Sequence, residues 1–184
     1  MAEQTFIAFL RAVNVGGRVV RMERLRELFA ELGLADVRTY IQSGNVFFTA
    51  DTGTDRAALS RRIERHLHAA LGFEVPTVLR TVPEVEELLA ADPFRDVEVT
   101  PEVRLSLVFL TEPLPADLEL PRRSPRGDLE VIGAAGSTAF VVTRTLDGRP
   151  AGNPAGVFGP AYRGHGTARF FHTTAKIVAA AKRG

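Results

Sequence analysis

The stretch Val37-Arg38-Thr39-Tyr40-Ile41-Gln42-Ser43-Gly44-Asn45-Val46-Phe47-Phe48-Thr49 decides the fold. Val37 to Ile41 alternates apolar and polar residues, the pattern of a half-buried strand whose side chains point to opposite faces in turn. Ser43-Gly44-Asn45 is turn chemistry, and Val46 to Thr49 reads as the returning strand. Upstream of this hairpin the spacing changes. Met22, Leu25, Leu28, Phe29 and Leu32 form one helical stripe, and Gly33 is placed to end it. Further upstream, Thr5-Phe6-Ile7-Ala8-Phe9-Leu10 is a short apolar run that its length assigns to a strand.

Downstream, the loop from Asp51 to Thr54 offers N-caps to a helix carrying Leu59, Ile63, Leu67 and Leu71 on one face, with Gly72 at its end. Glu74 to Leu79 is a further strand, and Pro76 assigns it to a sheet edge. The order β-α-β-β-α-β is the split βαβ of a ferredoxin-like domain, expected over residues 1–81. A linking helix and loop are expected over 82–102, where Thr81 and Glu84 have capping-box spacing.

Residues 103–184 read as a second, abbreviated α+β subdomain. Arg104 to Thr111 is a strand, and Ala116 to Leu120 allows one or two helical turns. Leu129 to Ile132 and Thr138 to Thr143 make a hairpin about Ala135-Gly136. Asp147 to Gly166 is a long loop dense in Gly and Pro, a length usually reserved for functional segments. Thr173 or Thr174 is expected to cap a final helix. The similarity of the halves is one of element order, without a sequence repeat. The fold class is thus α+β, with two ferredoxin-like (α-β plait) subdomains.

Composition narrows the function. The 184 residues carry a net charge of +1, which argues against a dedicated DNA-binding module with its clustered basic face. Cysteine is absent, which excludes disulfides, thiolate zinc sites, iron–sulfur clusters and a cysteine nucleophile. No apolar run approaches the length of a membrane span, and the N-terminus has no signal-peptide pattern, so a cytoplasmic location is expected.

The strand directions of a split βαβ bring the end of the first strand, the hairpin turn and the segment after the second helix to one rim. There the sequence places Arg11, Asn14, Gly16 and Gly17 beside Gln42, Ser43 and Asn45, with Gly72 and Phe73 close by. Arg11 offers a planar charged fork suited to carboxylate or phosphate. Gly16 and Gly17 let backbone N–H groups approach a ligand, and the helix start downstream favours an anion. The competing reading is structural: Val13 to Gly17 is only a tight connection, with Asn14 bonded to local backbone, and Ser43 to Asn45 is only a turn. The loop ends in neither the Gly-Lys-Ser/Thr of a P-loop nor a Rossmann fingerprint.

Other candidates carry less. His66 and His68 are two apart on a helix and face different ways, so they form no metal pair. His165 and His172 sit in or beside the long loop, where either could serve an enzyme as general base at the same rim. Arg122-Arg123-Ser124-Pro125-Arg126 reads as a solvated basic loop. The first and third strands are apolar on both faces, which leaves Phe9 and Phe47 on the face without helices. Burial of that face, against the other half or across a homodimer, is favoured over base stacking on single-stranded nucleic acid.

The residues Leu10-Arg11-Ala12-Val13-Asn14-Val15-Gly16-Gly17, the pattern Met22-x-x-Leu25-x-x-Leu28, and Val37 to Val46 resemble the bacterial domain-of-unknown-function family 1697. The resemblance is specific through residue 50 and fades to a compatible element order beyond. It implies a cytosolic bacterial protein with two α-β-plait subdomains and supplies no activity, cofactor or catalytic residue. The chain departs from the family at Ala12, where glycine is usual. It also carries Thr173-Thr174-Ala175-Lys176-Ile177 where members have Thr-Thr-Arg-Asn-Trp; if that helix start contributes to a shared site, the chain has lost part of it or replaced it with Lys176 and His172. The expectation is a small anionic ligand at the Arg11 rim, with no metal and no cofactor.

Overall fold

The computed structural model describes residues 2–158, 162 and 164–184. They divide into two compact units, Met1–Glu86 with Ile177–Gly184, and Glu87–Lys176.

The first unit runs β1 Glu3–Leu10, α1 Met22–Glu31, β2 Ala35–Thr39, β3 Asn45–Asp51, α2 Arg56–Leu71, β4 Thr77–Thr81 and α3 Val82–Ala90, the last crossing into the second unit. The sheet order is β2-β3-β1-β4, antiparallel throughout, which is the ferredoxin-like arrangement. β4 lies at an edge, where Pro76 just before it costs no ladder bond. Asp55, one residue beyond the expected loop, caps α2 by accepting from the Ala58 N–H at 3.1 Å. Gly72 ends α2 with φ +82°, donating to His68 O. The capping box of α3 is formed in both directions: Thr81 N–H donates to Glu84 Oε2 (2.9 Å) and Glu84 N–H to Thr81 Oγ1 (3.3 Å).

One face of this sheet packs Phe6, Ala8, Leu10, Val46, Phe48 and Leu79 against Leu25, Leu28 and Phe29 of α1 and Leu59, Ile63 and Leu67 of α2. Phe6 stacks on Phe48 with centroids 5.5 Å apart. On the other face Ile7 and Phe9 are 0% exposed and Phe47 is 1% exposed. Part of the cover there is the chain's own end. Arg38 on β2 sits over the Phe47 ring at 5.4 Å and donates to the carbonyls of Ala180, Ala181 and Arg183.

The second unit runs β5 Val103–Leu110, β6 Arg122–Arg123, β7 Leu129–Ala135, β8 Thr138–Arg144, a short 3₁₀ turn Pro154–Phe158 and β9 Gly166–Phe170, followed directly by α4 Phe171–Lys182, which from Ile177 on belongs to the first unit. Its sheet has the order β6-β7-β8-β5-β9. Without β6, this repeats the first sheet strand for strand. The helices between β5 and β7 and between β8 and β9 are replaced by loops, β6 and the 3₁₀ turn. Loop side chains then do the covering: Val157 and Phe158, with Leu114, Ala151 and Tyr162, pack on Val108, Leu110, Val131, Ala139 and Val141.

Three expectations are corrected. No helix forms at Ala116 to Leu120, a turn closed by Leu118 N–H on Pro115 O. The stretch expected as loop to Gly166 gives way to β9, so the second half has its fourth strand; Gly159, Pro160, Ala161 and Arg163 of that loop lie outside the described residues. Thr173 and Thr174 do not cap α4, which begins at Phe171; Thr174 is buried inside it and donates to Phe170 O at 2.9 Å. β9 escaped the pattern because it is inside out. Thr167 and Arg169 are buried and Phe170 is 45% exposed. Arg169 is held by Thr167 Oγ1 (2.8 Å) and Ala168 O (2.9 Å), and burial pushes its guanidinium down to about 10, still charged at neutral pH.

Candidate functional site

Three connections meet at one rim of the first sheet. The end of β1 lies beside the start of β3 (Phe9 opposite Asn45) and the start of β4 (Leu10 opposite Thr77). Backbone bonds continue the ladder into the loops: Leu10 N–H donates to Gly44 O (2.9 Å) and Arg11 N–H to Pro76 O (3.0 Å). The Asn14 amide donates to Gln42 O (2.7 Å) and accepts from Val20 N–H (2.7 Å), fixing the first loop at both ends. The Arg18 guanidinium lies 4.3 Å from the centroid of the Phe73 ring, which ties in the third connection.

The seven expected site residues therefore share a rim but have different roles. Asn45 is fully buried, and its amide donates to Tyr40 O (3.1 Å) and Ser43 Oγ (3.0 Å), so it holds the turn and presents nothing to solvent. Asn14 is likewise spent on backbone. Gly16 and Gly17 have φ +58° and +83°, and Arg18 N–H closes on Val15 O at 3.1 Å, the φ pattern of a type I′ turn. A Cβ at either would meet nothing within 4 Å, so their N–H groups stand at an open turn tip. Gln42 and Ser43 are exposed and Arg11 is half-buried. Gly44, which links them, has φ +83°, and a Cβ there would come within 3.0 Å of Leu10 Cβ.

The electrostatics of the rim are lopsided. Residues 11–21, 40–45 and 72–76 carry Arg11, Arg18 and Arg21 against the single carboxylate Glu74. α1 begins here with Arg21 at its N-cap and no side-chain cap, and its first turn carries the carboxylate of Glu23, which offsets part of the N-terminal dipole. The pairing of Arg18 with Phe73 went unread in the sequence. Its signal is that each residue follows a glycine at this rim, Arg18 after Gly17 of the turn and Phe73 after Gly72 at the end of α2.

The remaining candidates lie elsewhere. His165 and His172 belong to the second unit and Ser43 to the first. The His165 backbone pairs with Thr111, and the exposed His172 ring stacks on Phe170 at 5.8 Å. Lys176 is exposed on α4. His66 Nε2 contacts Glu31 Oε2 at 2.8 Å, joining α2 to α1. The basic stretch 122–126 is largely engaged: Arg123 pairs with Glu130 (2.8 Å) and Arg126 with Asp128 (3.5 Å). Phe9 and Phe47 are closed to solvent, so neither ring is open to a nucleobase. Among the described residues no group of three His, Asp or Glu could hold a metal ion, and no helix is long and apolar enough to cross a membrane.

These features define an α+β chain of two antiparallel sheets whose polar rim is built from three loops. The chain belongs to the family described as "Protein of unknown function (DUF1697)", whose profile matches residues 4–140. Among solved structures it is similar to the conserved bacterial protein SP0830 from Streptococcus pneumoniae, with 26% identity over 99% of this chain and 100% of that one, and a TM-score of 0.72. No curated protein matches the chain. Family and neighbour supply the architecture and no activity. Ala12, which follows Arg11, adopts φ +58°, a left-handed conformation that glycine takes at no steric cost.

Proposed function

We propose that this protein binds a small anionic ligand, bearing phosphate or carboxylate, at the rim formed by Arg11, Gly16, Gly17, Gln42 and Ser43, and that it works in the cytoplasm. The observation that carries this reading is the fastening of three loops into one surface that holds three arginines against Glu74, with Glu23 on the adjoining first turn of α1. Arg11 supplies the fork that pairs with the anion, the open N–H groups of Gly16 and Gly17 donate to its oxygens, and Gln42 and Ser43 supply neutral donors. Asn14 and Asn45 position these groups without touching the ligand.

The test is thermal unfolding of wild type and Arg11→Ala with phosphate, pyrophosphate, citrate and a nucleotide at constant ionic strength. The reading predicts that at least one anion raises the melting temperature of wild type and stabilises Arg11→Ala far less, because ligand bound to the native state adds to its stability. An equal rise in both proteins, or none in either, removes it.

A further inference from the structure

At the β2 edge of the first unit, next to the hairpin turn, lies a cavity of about 390 Å³ lined by Arg26, Arg38, Thr39, Tyr40, Phe47, Ala180 and Arg183. Three arginines line it and no carboxylate does. We infer that this cavity is a second anion site, shaped for an inorganic phosphate or the phosphate group of a small ester. Arg11 is not among its lining residues.

The argument begins with β2 as an edge strand. Arg38 stands opposite Phe47 and so faces away from α1 and α2, whereas Thr39 stands opposite Val46, a residue of the helix-side core. Arg26 reaches Thr39 from α1, donating to Oγ1 at 2.6 Å. Arg38 reaches the end of α4 on the other face. The two guanidinium groups thus approach the cavity from both faces of one sheet edge, and Arg183 joins them from the chain's end.

Three arginines without a carboxylate partner among the described residues meet in one cavity here. Arg24, Arg56, Arg123, Arg126 and Arg144 all pair with carboxylates. Among the described residues, Arg26, Arg38 and Arg183 pair with none. Arg38 uses both Nη1 hydrogens and one on Nη2 for the α4 carbonyls, which leaves Nε–H and the second Nη2 hydrogen uncommitted. Those same bonds satisfy the carbonyls of Ala180 and Ala181 in the last turn of α4. Planar guanidinium forks suit tetrahedral oxyanions, and the volume falls within the range of small-ligand sites.

The experiment is a ¹H–¹⁵N correlation titration of the full chain with inorganic phosphate, referenced to sodium chloride at equal ionic strength. The proposal predicts saturable shifts at the amides of Thr39, Tyr40, Phe47, Ala180 and Arg183. In Arg183→Ala, which removes an exposed side chain and keeps its carbonyl, phosphate should bind there about fivefold or more weakly, the scale of one lost charge-assisted contact. Arg26→Ala should act in the same direction. Arg11→Ala should leave these amides unchanged, which separates this site from the rim. No saturable shift at those amides, or equal affinity in wild type, Arg26→Ala and Arg183→Ala, overturns the proposal.

Discussion

Gly44 carries more of the rim than any charged residue there. Its positive φ and the 3.0 Å approach of a Cβ to Leu10 leave room for no side chain, and its carbonyl accepts the first bond beyond β1. Gly44→Ala should lower unfolding free energy by about 2 kcal/mol in urea denaturation. Ala12→Gly should act in the opposite sense, with a gain of up to about 1 kcal/mol, because it relieves a left-handed alanine at the cost of a more flexible unfolded chain. At this scale the sequence placed these residues at one rim and left their roles open. Asn14, Ser43 and Asn45 could be read as local ties, the favoured reading, or as ligand contacts. The choice depends on which way the Asn14 and Asn45 amides turn, and burial of Asn45 with Asn14 bonded at both ends makes both of them ties. Three-dimensional packing fixes that choice, and spacing does not encode it.

Elements were legible where the hydrophobic period was intact and illegible where it was not. β1, α1, α2 and the capping box of α3 follow from apolar spacing and cap residues alone. β9 did not, because Thr167 and Arg169 point inward. β6 did not, because Arg122 and Arg123 read as a wet loop, yet they pair with Val131 and Glu130. This small edge has a pH signature. Burial disfavours the Glu130 carboxylate, but hydrogen bonds and charge from Arg123 and Arg144 outweigh it and hold its pKa below the ordinary 4.5. A depressed acid contributes stability above its unfolded pKa and loses it as pH falls through the folded value. The stability advantage of wild type over Glu130→Gln should therefore be full near neutral pH and shrink as pH is lowered below 4.5. A difference that stays constant across that acid range in parallel urea titrations would show that the ion pairs contribute nothing to the edge.

At the scale of the molecule, the repeated strand order is the main feature that sequence pattern understated. Each half threads its sheet alike, and each fourth strand runs directly into a helix, β4 into α3 and β9 into α4. The two-sided apolar strands correctly required a second buried face, and Phe9 and Phe47 are covered within the single chain. Phe47→Ala should cost about 3 kcal/mol or more, as for a core ring, whereas a ring displayed for base stacking could be removed almost without loss. Calorimetric melting of the two proteins distinguishes these outcomes.

The account's central claim is that the Arg11 rim holds an anion. Its most direct test is isothermal titration calorimetry with the most stabilising anion of the thermal panel, on wild type, Arg11→Ala and Ser43→Ala at fixed ionic strength. We predict one saturable event at the rim whose affinity falls by about tenfold or more in Arg11→Ala and by a smaller factor in Ser43→Ala, as expected for a charged against a neutral hydrogen bond. Indistinguishable isotherms for wild type and Arg11→Ala would contradict it.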